Sequence, residues 1–246
     1  MGYKRTIPVS LECPFKPAQQ CRTCDCRKRC FFNFLSPGAA RRFRAERRMR
    51  RYQAHQFIFS EGEQPQGIHI LCVGDAKLTK SNARGQELIL QYFSCGDLLG
   101  EVSFLAGGQY YASAETLRES VVCFLPRNLV EHLYATEPEF SRKLLRKVSR
   151  TLCRTIDRAF GFAFRSAEAR MAQFIAALKT PAVKPVDSCH VHARYSRREI
   201  AENLGLSPET VIRVLSSFQK RGLIRLTGKA IEVRDRTSLE SVAAGR

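Results

Sequence analysis

Cysteines crowd the first thirty residues: Cys13 stands alone, and Cys21, Cys24, Cys26 and Cys30 follow within the ten residues CRTCDCRKRC. Thiolates spaced so closely, in a reducing compartment, are placed to hold a metal ion or an iron–sulfur cluster. The intervening Arg22, Arg27, Lys28 and Arg29 favour ionised thiols and an anionic guest. Five further cysteines, Cys72, Cys95, Cys123, Cys153 and Cys189, are scattered singly, and the local pattern reads each as a small buried hydrophobe. The start MGYKRTIPVSLEC has no apolar signal-peptide core, so all ten cysteines are expected as reduced thiols in the cytoplasm.

A second chemistry lies toward the C-terminus. Ser196-Arg197-Arg198-Glu199 is an S-x-x-E capping box that opens a helix, and Leu204-Gly205-Leu206 makes a tight turn after it. Ser207 then caps a second helix with Pro208 at its first position, where the missing N–H costs nothing. On that helix Val211, Leu215 and Phe218 share an inward face, which leaves Glu209, Ile212, Arg213 and Ser216 on the other. This is a helix-turn-helix whose second helix suits the major groove of DNA. Arg213 can bond a guanine bidentately, Glu209 can accept from a cytosine amino group, and Ile212 can touch only a thymine methyl. Arg197, at the mouth of the first helix, joins the candidate DNA contacts. The following LIRLTGKAIEV (223–233) reads as a two-stranded wing turning at Gly228-Lys229.

These sites need elements to position them. Glycines recur at 62, 74, 85, 96 and 107, separated by the β-type runs QFIFS, GIHILCV, ELILQYF and SVVCFLP, which predicts an antiparallel jelly roll. Beyond Pro126 the pattern becomes helical. From Glu137 to Phe164 the residues Leu145, Val148, Leu152, Thr155, Ala159 and Phe162 recur at steps of three and four, flanked by Arg142, Arg146, Arg150, Arg154 and Arg158. That seam suits either packing within the domain or pairing with a second copy in a dimer, and the second reading is preferred. A shorter helix is expected at Ala167–Leu178, then a proline-bearing linker over 179–188. RRFRAERRMRR (41–51) reads as a helix with a solvated basic face, with contact to DNA or polymerase as the alternative. The expected class is therefore α+β: a cysteine-rich arm and helix (1–50), a β-roll sensor (51–130), a dimerisation helix (131–164) and a winged helix-turn-helix (165–246).

Charge agrees with a nucleic-acid partner. The chain has 41 Lys and Arg against 23 Asp and Glu, net +18, and the surplus is uneven: +10 over 1–50, −2 over 51–130 and +10 over 131–246. A basic C-terminal third suits a polyanion. No apolar run approaches the roughly 20 residues of a membrane span. His55, His69, His132, His190 and His192 form no spaced constellation beyond Cys189-His190-x-His192, which reads as loop or strand, and no phosphate loop, nucleophile motif or carboxylate pair is present. A non-enzymatic protein is expected.

Jelly roll, long helix and winged helix-turn-helix, in that order, resemble the CRP/FNR superfamily of bacterial transcription regulators, most specifically in GDLLGEVSFLAGGQ (96–109) and LGLSPETVIRVLSSFQKRGLI (204–224). In the cyclic-nucleotide branch an Arg-Ser pair grips the cyclic phosphate. The matching positions here hold Tyr111 and Ala112, so no cyclic nucleotide is expected. In the FNR-type iron–sulfur branch, C-x2-C-x5-C and one distant cysteine hold a 4Fe–4S cluster. The resemblance thus implies Cys21, Cys24, Cys30 and Cys123 as ligands, with Cys26 as an alternate and Cys13 as a spare. It further implies a homodimer that works with RNA polymerase, senses oxygen or nitric oxide, and reads a TTGAT-N4-ATCAA-like palindrome. Family members carry serine where this chain has Ile212, which leaves the outer thymine open. The surplus thiols Cys13 and Cys26 keep a second reading alive, a regulator of the same fold switched by zinc or by thiol oxidation.

Overall fold

The computed structural model describes residues 31–32, 34–177, 196–228 and 230–245. The arm cysteines Cys13, Cys21, Cys24, Cys26 and Cys30, the 179–188 linker and Cys189-His190-x-His192 lie outside them. Contacts divide the chain into two units, one built from residues up to 78 with 91–146, the other from 79–90 with 147 onward.

The first unit opens with α1 (Pro37–Glu46), capped by Ser36, whose hydroxyl accepts from the Ala39 N–H. Strands β1 (Arg48–Tyr52), β2 (Phe57–Phe59), β3 (Gly67–Val73), β4 (Asp75–Ser81), β5 (Glu87–Ser94), β6 (Leu98–Leu99), β7 (Ser113–Thr116) and β8 (Ser120–Pro126) form two four-stranded sheets, ordered β1-β8-β3-β6 and β2-β7-β4-β5. Every pairing with a described register is antiparallel, as the jelly-roll expectation requires. The regularly spaced glycines all take positive φ at the turns. Gly74 is the tightest, since a Cβ there would stand 2.0 Å from Ser120 Oγ.

RRFRAERRMRR is not one helix. α1 stops at Glu46, the Arg47 N–H closes it onto the Phe43 carbonyl, and Arg48–Tyr52 pairs with β8 from Arg48↔Phe124 to Tyr52↔Ser120. An edge strand bonded on one side needs no apolar alternation, so long-range pairing wins over the helical preference of the arginines. The roll consequently begins inside the stretch assigned to the arm.

Two short helices, α2 (Glu101–Ala106) and α3 (Arg127–Thr136), complete this unit with the first turns of α4 (Pro138–Phe164). Strand alternation divides the sheet β1-β8-β3-β6 into two faces. Ile68, Ile70, Cys72, Val121, Cys123 and Leu125 join Ala39, Phe43, Leu129, Leu133, Phe140 and Leu144 in one apolar layer beneath α1, α3 and α4. His69 and Phe124 turn the other way, with their ring centroids 5.0 Å apart.

The second unit has its own core. α5 (Ala167–Ala177), α6 (Arg197–Leu204), α7 (Pro208–Lys220), the antiparallel pair β9 (Ile224–Thr227) and β10 (Ala230–Val233), and α8 (Arg236–Ala243) bury Met171, Ile175, Ile200, Val211, Leu215, Phe218 and Leu239 together. Among the described residues no helix is long and apolar enough to cross a membrane.

Candidate functional site

The helix-turn-helix is built as its residues dictate. Ser196 Oγ accepts from the Glu199 N–H (3.1 Å) and Glu199 Oε2 accepts from the Ser196 N–H (2.6 Å), completing the capping box. Gly205, at φ +59°, ends α6, and Ser207 Oγ receives the Thr210 N–H at 3.2 Å to start α7. Val211, Val214, Leu215 and Phe218 are buried, so Glu209, Ile212, Arg213 and Ser216 stand on the exposed face. Hydrogen bonds from its own backbone N–H and the Ser207 hydroxyl hold the Glu209 carboxyl below the usual carboxylate range, so it stays an ionised acceptor. Arg197 is half-buried. Its Nη2 donates to the Gly228 carbonyl in the wing turn at 3.5 Å, and its Nη1 has no partner among the described residues.

The end of α4 is fastened to this motif. Arg158 donates to the Asn203 carbonyl, Arg170 donates to the Leu204 carbonyl at 2.8 Å, and both guanidinium groups stack on the Phe162 ring, at 5.2 and 5.6 Å. Gly205 suits the positive φ there, and a Cβ would also crowd that ring at 3.3 Å. Phe162 therefore serves this junction rather than the apolar seam the spacing assigned it to.

Of the other seam residues, Leu145, Leu152, Thr155 and Ala159 are exposed on α4 and Val148 is half-buried. Ile156 and Phe160, 58% and 55% exposed, widen the stripe. Both lie at successive steps of four from Leu152, and the seam of alternating three- and four-residue steps passes beside them. Cys153 lies exposed on the same helix, against the expectation of a buried hydrophobe.

Of the cysteines implied as cluster ligands, Cys123 alone is among the described residues. It is 1% exposed in the apolar layer beneath the helices. Phe31 and Phe32, the residues directly after Cys30, enter that same layer: Phe32 stacks 4.9 Å from Phe43, and both rings meet Phe140 of α4, at 5.8 and 5.7 Å. Ser36 fastens the same stretch to Glu137 just ahead of α4. Beside Cys123 lies Cys72. A side-chain hydrogen bond to Cys123, and then burial, push the Cys72 thiol well above its ordinary pKa, while the Arg47 guanidinium pulls the other way. Cys95 Sγ is 2.9 Å from the Cys72 carbonyl oxygen. Cys95 is disulfide-bonded, which departs from the expectation of reduced thiols throughout. Among the described residues no three His, Cys, Asp or Glu side chains converge to hold a metal by themselves.

Within the roll, Phe59 stacks on Tyr110 at 3.9 Å, and His69 lies 5.5 Å from Phe59. Glu101 and Ala112 are buried, while the Tyr111 side chain is exposed. Neither Tyr111 nor Ala112 can offer a cation to a phosphate.

Comparison with known proteins follows these two units. Residues 49–137 match the cyclic nucleotide-binding domain and residues 169–242 the Crp-like helix-turn-helix domain. A CRP-like cAMP-activated global transcriptional regulator of Mycobacterium tuberculosis is 30% identical over 179 residues, 72% of this chain and 80% of its own length. The fumarate and nitrate reduction regulatory protein of Escherichia coli is 27% identical over 192 residues, 78% of this chain and 76% of its own. FixK2 from Bradyrhizobium japonicum superposes with a TM-score of 0.69 at 23% identity, covering 79% of this chain and 96% of that one, a likeness of fold.

Proposed function

We propose that this chain, which belongs to the CRP/FNR family of DNA-binding transcription regulators, is a homodimeric oxygen sensor whose hold on DNA is set by a 4Fe–4S cluster on Cys21, Cys24, Cys30 and Cys123. The observation that carries the reading is the layer around Cys123. The chain leaves Cys30 and plants Phe31 and Phe32 in the layer that buries Cys123, against Phe140 near the start of α4. The reading is supported by the Cys123 thiol, an apolar surround that excludes water, and the Arg47 cation acting on the neighbouring Cys72 thiol. When bound, the cluster supplies an oxygen-labile cross-link between arm and roll.

The protein's own residues do the rest. Phe31 and Phe32 brace Phe140, and so steady the first turns of α4. Leu145, Val148, Leu152, Ile156 and Ala159 then pair with the same stripe of a second copy, which presents two α7 helices one DNA turn apart. Arg213 and Glu209 read a G·C pair, Ile212 and Ser216 touch its neighbours, and Arg197 meets phosphate. Cyclic nucleotide is not the effector in this reading, because Tyr111 and Ala112 supply neither charge nor hydroxyl to grip a phosphate. The fold family and the exposed reading face favour action with RNA polymerase at promoters, in the cytoplasm.

The test is anaerobic purification with counts of iron, sulfide and zinc, and visible absorbance before and after admitting air. About four iron and four sulfide per chain that bleach in air, and their loss in Cys123→Ala, are expected. Zinc alone, or no metal with no response to air, refutes the reading in favour of the zinc or thiol switch.

A further inference from the structure

We propose that Arg158 is a positioning residue for DNA reading: its guanidinium ties the edge strand β5 to the end of α6, so that a disturbance in the β4–β5 hairpin reaches the reading helix α7. Residues 79–90, which hold the end of β4, the turn and the start of β5, group by their contacts with residues 147 onward. β5 is the edge strand of the sheet β2-β7-β4-β5, and an edge strand presents carbonyls that no neighbouring strand takes. The Leu90 carbonyl accepts from Arg158 Nη1 at 2.9 Å. Nη2 of the same side chain donates to the Asn203 carbonyl, one of the last four of α6, for which the helix itself has no donor.

Arginine suits this double task because its donors stand in a rigid planar fork, whereas a lysine ammonium is a point charge. The Phe162 ring, 5.2 Å from the guanidinium, keeps the fork in place. A further contact points the same way: the Arg198 pKa is raised first by its bond to Glu202 and also by the Glu87 carboxylate of β5. From Glu87 to Leu90 a strand advances about 10 Å, and from Arg198 to Asn203 a helix rises about 7.5 Å. Those lengths are close enough for the start of β5 to run beside α6. The hairpin turn is stiffened by its own bonds. Asn82 Oδ1 accepts from the Arg84 N–H at 2.9 Å and the Gln86 N–H at 3.1 Å, its Nδ2 donates to Gln86 Oε1 at 2.9 Å, and Gly85 takes φ +72°. A stiff turn passes a displacement on instead of absorbing it. α6 in turn shares one core with α7 through Ile200, Val211 and Leu215.

The experiment measures binding of the full chain, purified without air, to a duplex that the wild type selects from a random pool. Wild type, Asn82→Ala, Arg158→Met and the double variant form the cycle. Alanine loosens the turn, and methionine fills the space over Phe162 without a donor. The expected result is that Arg158→Met weakens binding about tenfold and Asn82→Ala about threefold, while the double variant is no weaker than Arg158→Met. A merely structural Arg158 would not silence a change in the turn. Arg158→Lys should bind between wild type and Arg158→Met, and it carries the same cycle should the methionine variant lose helix content. Losses that multiply to about thirtyfold in the double variant mark two independent sites and overturn the inference. So does an Asn82→Ala, Arg158→Met or Arg158→Lys protein that binds as well as wild type or better. A wild type that selects no duplex fails the DNA-binding assignment itself, and the inference with it.

Discussion

His69 offers a stability change that can be worked through in numbers. The imidazole lies on β3 between Phe59 and Phe124, is 8% exposed, and has no protein partner for Nδ1 among the described residues. Burial lowers its pKa from 6.5 to about 4. The native ring therefore stays neutral while the unfolded chain takes up a proton below pH 6.5. The sign follows: this contribution to stability is intact above pH 6.5 and is lost as pH falls toward 4. Two proton-binding curves separated in this way cost about 2 kcal/mol at pH 5 and about 3 kcal/mol by pH 4, against a total stability on the order of 5–15 kcal/mol. Replacing His69 by Phe removes the titration and keeps a ring between the two neighbours. Urea unfolding, followed by the near-ultraviolet circular dichroism of tyrosine because the chain has no tryptophan, should give curves for the two proteins that diverge steadily below pH 6.5. Carboxylates such as Asp75 titrate in both proteins and cancel in the difference. Parallel curves from pH 7 to 4.5 would refute a buried, neutral imidazole.

The exposed stripe and the reading face give two further expectations. Ile156→Glu places a charge in the middle of the α4 stripe and should convert dimer to monomer in sedimentation equilibrium with helix content unchanged; a persisting dimer locates the interface elsewhere. Arg213→Ala should weaken binding to the palindrome by roughly 10- to 100-fold, from the loss of one bidentate contact. It should also erase the preference at that G·C pair, measured by anisotropy titration against a base-swapped duplex. An equal loss on both duplexes marks Arg213 as a phosphate contact instead.

Much of this architecture can be read from local chemistry. The turns at Gly62, Gly74, Gly85, Gly96 and Gly107, the Ser196–Glu199 box, and Ser207 with Pro208 each act through neighbouring residues, so each is visible in a short window. What escaped is what depends on distant partners. Arg48–Tyr52 becomes a strand because β8 offers an edge, and the composition of the segment contains no trace of that. His69 looked like one more isolated histidine until the fold enclosed it. The helix α8 (Arg236–Ala243), capped by the Asp235 carboxylate accepting from the Ser238 N–H, went unread after the wing, although its capping residue is a local signal.

The fastening of Arg158, Phe162 and Arg170 to the end of α6 sets a tolerance on the whole device. From Val148 to Phe162 the helix rises about 21 Å, and near its far end the carbonyls of Asn203 and Leu204 are held by Arg158 of α4 and Arg170 of α5. A tilt of about 10° near Val148 swings that end by roughly 4 Å, slightly more than the 3.4 Å step between base pairs along one strand. Misreading by one base pair therefore needs neither melting nor separation of the chains. An angular error small enough to leave every helix intact is sufficient, so a regulator built this way can be turned off by looseness alone.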